Sequence, residues 1–464
     1  MIALALTAAV VVGDHVALRA APERLAAQQA VLWKGDWLEV RGHRRGWLEV
    51  YDHRHERPGW IAERNVRQVE LEDKSAPALR AVVDFVRDTP GSESLGIAYA
   101  AMYLKVAGKP AIDGAIMVSL GVMAERLAHR ASAAGTNDAS ASEQLEVAKS
   151  WGVAFSSIER DDGIAVCYDG EAFHAALALS PTPGDAATAV LALTDPTCTP
   201  PRLGATERQA LDEARLAGLD RVGTKGAPPP LANALRIRRA ALAADLAWTV
   251  ARRGDAALAA TRAAEAMGAF VSLDRAELAE DDVAAADAAA LQVAAARWAG
   301  ETAHPVPALG LKLDPGQPGE TCVSVAPKQG AASTPKCTFG QVWPASFSVS
   351  PDRRDAVVAV EPLPGWLELW MFRRGDDGGW MIDVLTPSTD EPDLGYVELA
   401  GWSADSSHAL IVREARTAGA LHRSFEAIAL GTLAVDKQSA TLGGVGAAKK
   451  WAAAEWRKGT LALR

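Results

Sequence analysis

The stretch that decides the reading runs from Gly13 to Val69: GDHVALRAAPERLAAQQAVLWKGDWLEVRGHRRGWLEVYDHRHERPGWIAERNVRQV. Its short β-rich pieces are punctuated by Gly35, Gly42, Gly46 and Pro58-Gly59, which predicts a small barrel rather than a helix. Successive side chains of a strand point to opposite faces. In the first WLEV, Leu38 and Val40 therefore face one way, and Trp37, Glu39 and Arg41 the other. The second repeats the pattern, with Leu48 and Val50 on one side and Trp47, Glu49 and Tyr51 on the other. The aliphatic pairs are the natural core. That leaves Trp37, Glu39, Arg41, Trp47, Glu49 and Tyr51 as candidate ligand-binding residues, because aromatic plates among fixed polar groups suit a peptide or a sugar chain. Packing of this face inside the protein is the competing reading, and the stronger one for so small a barrel.

Four pieces of this stretch carry a resemblance: HVALRAAP (15–22), GDWLEVRG (35–42), GWLEVYD (46–52) and PGWIAERNVRQV (58–69). Together they resemble a bacterial SH3-like domain of the SH3b type. The resemblance implies a closed barrel over residues 13–70. It also implies a non-catalytic attachment module of envelope proteins, recognising peptidoglycan or a protein ligand. In the run Asp52-His53-Arg54-His55-Glu56, two histidines at strand spacing beside carboxylates could meet on a metal. The charged, turn-like text with Arg54, Arg57 and Arg64 nearby favours a salt-bridged loop, so no metal is assigned.

Residues 1–12, MIALALTAAVVV, carry no charge and are too short to span a bilayer, which takes about 20 residues. They read as the remnant of a signal peptide, or else as the lead into a first strand. Export to the periplasm or beyond follows from the first reading, and four cysteines agree with it. The pairings expected are Cys167 with Cys198 and Cys322 with Cys337, each closing a loop within one region. The chain of 464 residues holds 48 Lys and Arg against 58 Asp and Glu, a net charge of −10. No long basic tract offsets that deficit, which argues against nucleic acid as a partner. No later stretch is long and apolar enough to span a membrane.

From Pro77 the period changes to that of helices, and residues 77–304 are read as a helical domain. Ala133–Ser142 is a small polar connector. Phe155–Tyr168 is a short helical or β element, and Pro181 to Pro201 break any continuous helix. No GxSxG elbow or HExxH helix is present. His129 and His174 stand isolated. A dyad of Cys167 with His174 would suit a cysteine hydrolase, but a Cys167–Cys198 disulfide is favoured over it.

Pro305, Pro307, Pro315 and Pro318 mark the entry to a β-rich domain, 305–464. FSVSPDRRDAVVAVE (347–361) and GWSADSSHALIVRE (401–414) each set an aromatic residue and a Ser-x-Asp turn before an apolar strand. They look like β-propeller blades, although two phrases fall short of the four blades or so that closure takes. Trp366, Trp370 and Trp380 are read as core anchors. Asp352 and Asp405 are read as turn residues rather than acids, with Asp383 the third carboxylate weighed. Gly443-Gly444-Val445-Gly446 lacks a phosphate-loop lysine.

The expected fold class is thus multidomain α+β: an N-terminal SH3-like β-barrel, a central α-helical domain and a C-terminal blade-like antiparallel β domain. The expected function is that of a non-enzymatic periplasmic or cell-envelope binding or assembly protein, whose partner is peptidoglycan or an envelope protein. A peptidoglycan-modifying hydrolase anchored by the barrel is one alternative. A structural protein with an internally docked barrel is the other. No catalytic residue, cofactor or metal is assigned.

Overall fold

The structure, a computed structural model, describes residues 7–132, 139–160, 163–302, 309–328, 330–389 and 392–464. Residues 1–6 of the apolar leader, 133–138 of the polar connector, and Pro305 and Pro307 lie outside the described residues. The chain divides into two compact units, residues 1–205 with 218–231, and residues 206–217 with 232–464.

The first unit opens with seven strands: β1 (Thr7–Val11), β2 (Val16–Arg19), β3 (Gln28–Leu32), β4 (Trp37–Arg44), β5 (Trp47–Asp52), β6 (Arg57–Ala62) and β7 (Val66–Glu70). Their order is β3-β2-β6-β5-β4-β1-β7, with β3 and β7 as free edges. The sheet is therefore open, and this overturns the SH3-like barrel expected from 13–70. The physical reason lies in β1. Counting strands from Gly13 omits it, yet Thr7–Val11 pairs antiparallel with both β4 and β7. A strand inserted there separates the edges that closure would have to join. One face of the sheet carries Ala9, Val11, Leu18, Leu32, Leu38, Leu48, Val50 and Ile61, all buried. Val40 packs against this cluster only in part.

Helices follow: α1 (Ala76–Val86), α2 (Glu93–Val106), α3 (Gly114–Ser132) and α4 (Ala139–Ser150). Val10 of β1 points into their core, beside Ile97, Met102, Ile116 and Leu127. Strand alternation thus makes β1 the seam between the two layers. The element at 155–168 is a β-hairpin, β8 (Phe155–Arg160) with β9 (Gly163–Tyr168). After α5 (Glu171–Ala178) and α6 (Pro183–Leu193) comes α7 (Ala205–Val222), whose residues 206–217 belong to the second unit. Thr182 caps α6 by accepting from the Asp185 amide, with Pro183 at the first position, where its missing N–H costs nothing. Cys167 of β9 is bonded to Cys198 just beyond α6.

The second unit places α8 (Pro229–Ala251), α9 (Ala256–Val271) and α10 (Val283–Ala296) against sheet. The sheet strands are β10 (Leu309–Pro315), β11 (Thr321–Pro327), β12 (Lys336–Thr338), β13 (Gln341–Val349), β14 (Asp355–Leu363), β15 (Trp366–Arg374) and β16 (Trp380–Leu385). There follow β17 (Gly395–Trp402), β18 (His408–Thr417), β19 (Ala420–Ala429), β20 (Val435–Ser439) and α11 (Ala454–Gly459). Strands β10 to β12 make a small sheet, in which Cys322 and Cys337 sit opposite one another and are bonded.

Strands β13 to β20 form one eight-stranded sheet, because β15 and β17 pair in parallel at Trp366–Gly395 and Leu367–Tyr396. That join is the reason the blade-like expectation fails. The two meanders run on as one open sheet, with no closed ring of separate blades. Val357, Leu369 and Met371 of the first meander meet Val397, Ala409 and Ile411 of the second. The far face of the second meander, with Tyr396, Leu410 and Phe425, covers the alanine-rich helices. Alanine lets helix and sheet approach closely, which suits α10, where six of the fourteen residues are buried alanines.

Glu398 anchors that packing. It is 2% exposed and accepts from Arg297 at 2.7 Å and from the Trp456 indole at 2.9 Å. Arg297→Ala removes its cationic partner and is expected to lower unfolding free energy by about 3–5 kcal/mol, since it strands a buried charge. Urea unfolding measures the loss. An Arg297→Met/Glu398→Gln double variant should recover most of it.

Candidate functional site

Strand β4 presents Trp37 and Glu39 on the outer face, and β5 presents Tyr51 opposite Glu39. The register shifts between Val40 and Gly42, so Arg41 occupies a bulge, a device that re-aims a side chain. Its guanidinium lies 4.1 Å from the Tyr51 ring centroid and 3.2 Å from Glu39. His53 continues the alternation of β5. It stacks on Trp37 at 4.9 Å, meets Tyr51 edge-on at 4.8 Å, and places Nε2 2.9 Å from Glu39 Oε2. The Tyr51 hydroxyl donates to Glu56 at 2.8 Å. Hydrogen bonds from Arg41 and His53 hold the Glu39 carboxyl below its ordinary range, and the Glu56 bond raises the Tyr51 phenol.

Four of the six residues singled out in the sequence, Trp37, Glu39, Arg41 and Tyr51, therefore form one ledge. Trp47 and Glu49 stand apart from it. Trp47 lies opposite Arg44 and Ala62, four residues or about 13 Å along the strand from Tyr51. Glu49 is exposed beside Trp60 of β6. The sequence reading weighed His53 only as a metal ligand and missed Trp151. His53 follows from carrying the alternation of β5 one step further. Trp151, just after α4, comes within 6.2 Å of Trp37 and has no signal in the strand text. The ledge keeps water on its other side: the side chains of Arg41 and His53 are 45% and 40% exposed.

The two histidines of 52–56 go to different carboxylates, His53 to Glu39 and His55 to Asp52 at 2.6 Å. Arg54 lies 3.1 Å from Asp36, whose carboxyl burial pushes up to about 6 against the pull of that cation. Elsewhere, Glu125, His129 and Asp195 bring ligand atoms within 4.8 Å of one another. Asp195 also caps the turn after α6 by accepting from Thr197. The Cys167 sulfur is spent on Cys198, so no thiol faces His174.

In the second unit Asp352 and Asp405 close equivalent turns, accepting from Ser350 and Ser403 at 2.7 Å each. The hydroxyls of Ser403 and Ser407 hold Asp405 down to about 2. Asp383 accepts from Arg373 at 2.7 Å. Trp366 and Trp370 are buried. Glu361, 1% exposed, is a buried carboxyl whose acidity is strongly altered. Burial pushes it up to about 8, although the Gly365 amide and the Trp343 indole donate to it. It lies sealed between strand and helix, where it braces the sheet and meets no solvent.

No family description, curated protein or solved structure matches the chain.

Glu361 makes stability depend on pH. Unfolded, it ionises near pH 4.5, whereas folded it keeps its proton to about pH 8. The native state binds the extra proton between those values, so stability falls as pH rises through that window, by at most about 1.4 kcal/mol per pH unit. Glu361→Gln gives up one acceptor and starts less stable, but its urea midpoint should fall less steeply from pH 5 to pH 8. Parallel profiles would show that Glu361 is ionised in the fold.

Proposed function

We propose that this chain is a non-enzymatic binding or assembly protein of the cell envelope, and that the ledge of Trp37, Glu39, Arg41, Tyr51 and His53 contacts peptidoglycan. The observation that carries the reading is the half-exposed array of rings fixed by Glu39. Ring faces suit the apolar faces of sugar residues, and a guanidinium beside a carboxylate suits the charged stem peptide. The array is held by ion pairs and stacking before any ligand arrives, so little side-chain freedom is lost on binding. Two disulfides favour an oxidising compartment, the periplasm or the exterior. Among the described residues, no helix is long and apolar enough to cross a membrane.

The contact of Trp37 with Trp151 favours a second reading, in which the ledge is a packing surface with no external ligand. The two readings part on one pair of measurements. Arg41→Ala/Tyr51→Ala should weaken co-sedimentation with purified peptidoglycan about 30-fold, the equivalent of ~2 kcal/mol, and leave the thermal midpoint unchanged. Trp47→Ala, outside the ledge, should bind within twofold of the parent. Wild-type affinity in the double variant would overturn the assignment of the ledge. Loss of stability without loss of binding would favour packing.

A further inference from the structure

A separate groove in the first unit, of about 560 Å³, is lined by α5, the segment that enters α6, and the end of α7 with the loop beyond it. Its floor is apolar: Leu177, Ala178, Pro181, Pro183, Ala186 and Val222. Its polar side chains are His174, Arg221 and Lys225, and no carboxylate is among the lining residues. In a chain with ten more acidic than basic residues, a concavity lined by basic groups alone is the reverse of the average surface. Low-dielectric walls focus such a field onto an incoming charge.

The groove is built into the fold. Pro183 is fixed by the Thr182 cap of α6. The Lys225 loop folds onto it through Gly226, at φ +79°, where a Cβ would stand 3.1 Å from Pro183. Only a residue that tolerates positive φ without a side chain keeps the loop that close. One end of α7 thus delivers Arg221 to the same rim as Lys225.

We propose that this groove binds an anionic amphiphile, a small carboxylate with an aliphatic tail. The tail lies along Leu177, Pro181, Ala186 and Val222, and the head meets Arg221, Lys225 and His174. The volume falls within the range of pockets that bury small ligands, roughly 300–1,000 Å³. This site is independent of the ledge on the N-terminal sheet.

Octanoate and its uncharged counterpart octanol serve as probes, titrated calorimetrically into the full chain at low salt. Octanoate should bind saturably to one site, and octanol at least ~10-fold more weakly, because it lacks the charge that Arg221 and Lys225 attract. Arg221→Glu/Lys225→Glu should cut octanoate affinity at least ~10-fold, with circular dichroism and thermal midpoint unchanged, both side chains being exposed. Ala186→Trp, which fills the floor, should abolish binding of both probes. Octanoate binding equally well to the charge-reversed variant would overturn the proposal. So would absence of saturable binding to the parent chain, or equal affinity for octanol.

Discussion

The Lys34–Gly35 turn, between β3 and β4, is where the N-terminal sheet is held to its helices. The Ser94 hydroxyl donates to the Lys34 carbonyl at 2.6 Å, and the Trp151 indole to the Gly35 carbonyl at 3.0 Å. Lys34 returns its ammonium to the Gly91 carbonyl at 2.8 Å. Gly35 has φ +94°, and a Cβ there would fall 2.5 Å from the Ser94 carbonyl oxygen, so backbone meets backbone with no room for a side chain. Behind this contact Glu93, fully buried, is paired with Arg126 at 2.8 Å and with Arg130. Gln144 of α4 reaches Asp14 at 3.0 Å. Two residues beyond the turn, Trp37 begins β4, so the same contacts that hold the sheet to the helices also set the position of the ledge.

The second unit repeats that pairing of a buried carboxylate with arginine. Its sheet places Glu398 and Glu414 against the interior, and each is neutralised by arginine. Glu414 is fully buried, accepts from Arg423 and Arg464 at 2.9 Å each, and takes the Tyr396 hydroxyl at 2.7 Å. These bonds hold the Glu414 carboxyl below its ordinary range despite burial. Arg464 closes a network that begins with Tyr396 on β17. Buried ion pairs of this kind orient layers more than they stabilise them. The alanine-rich interface they cross would otherwise offer few shapes to fix its register.

Much of the local structure was legible in the sequence. Strand alternation identified Leu38, Leu48 and Val50 as core and Trp37, Glu39 and Tyr51 as outward-facing. Ser-x-Asp text identified both turns that open β14 and β18. What failed was closure. Whether a row of strands forms a barrel or an open sheet depends on which edges meet, and no local pattern encodes that. An uncharged apolar segment reads alike as a leader or as a strand, so β1 stood as one of two readings until its partners β4 and β7 were known. The join of β15 to β17 is likewise a contact between distant residues. At the ledge, His53 lay one alternation step away from Tyr51, but Trp151 is a hundred residues distant along the chain and joins only through tertiary packing.

Open sheets have a consequence that closed ones avoid. Each free edge offers unpaired backbone donors and acceptors to any other chain, the route by which soluble proteins polymerise. Here the edges are poorly suited to that use. Strand β20 reads VDKQS and β7 reads VRQVE, each with charge at its margin. Strand β13 carries the exposed Pro344 at an irregularity in its register, where a missing N–H interrupts any incoming ladder. Gln28 and Gln29 at the start of β3 are exposed and uncharged, and the Arg57 guanidinium donates to the Gln29 carbonyl at 2.7 Å. Resistance to edge-to-edge pairing therefore rests on a few polar residues that contribute nothing to the core.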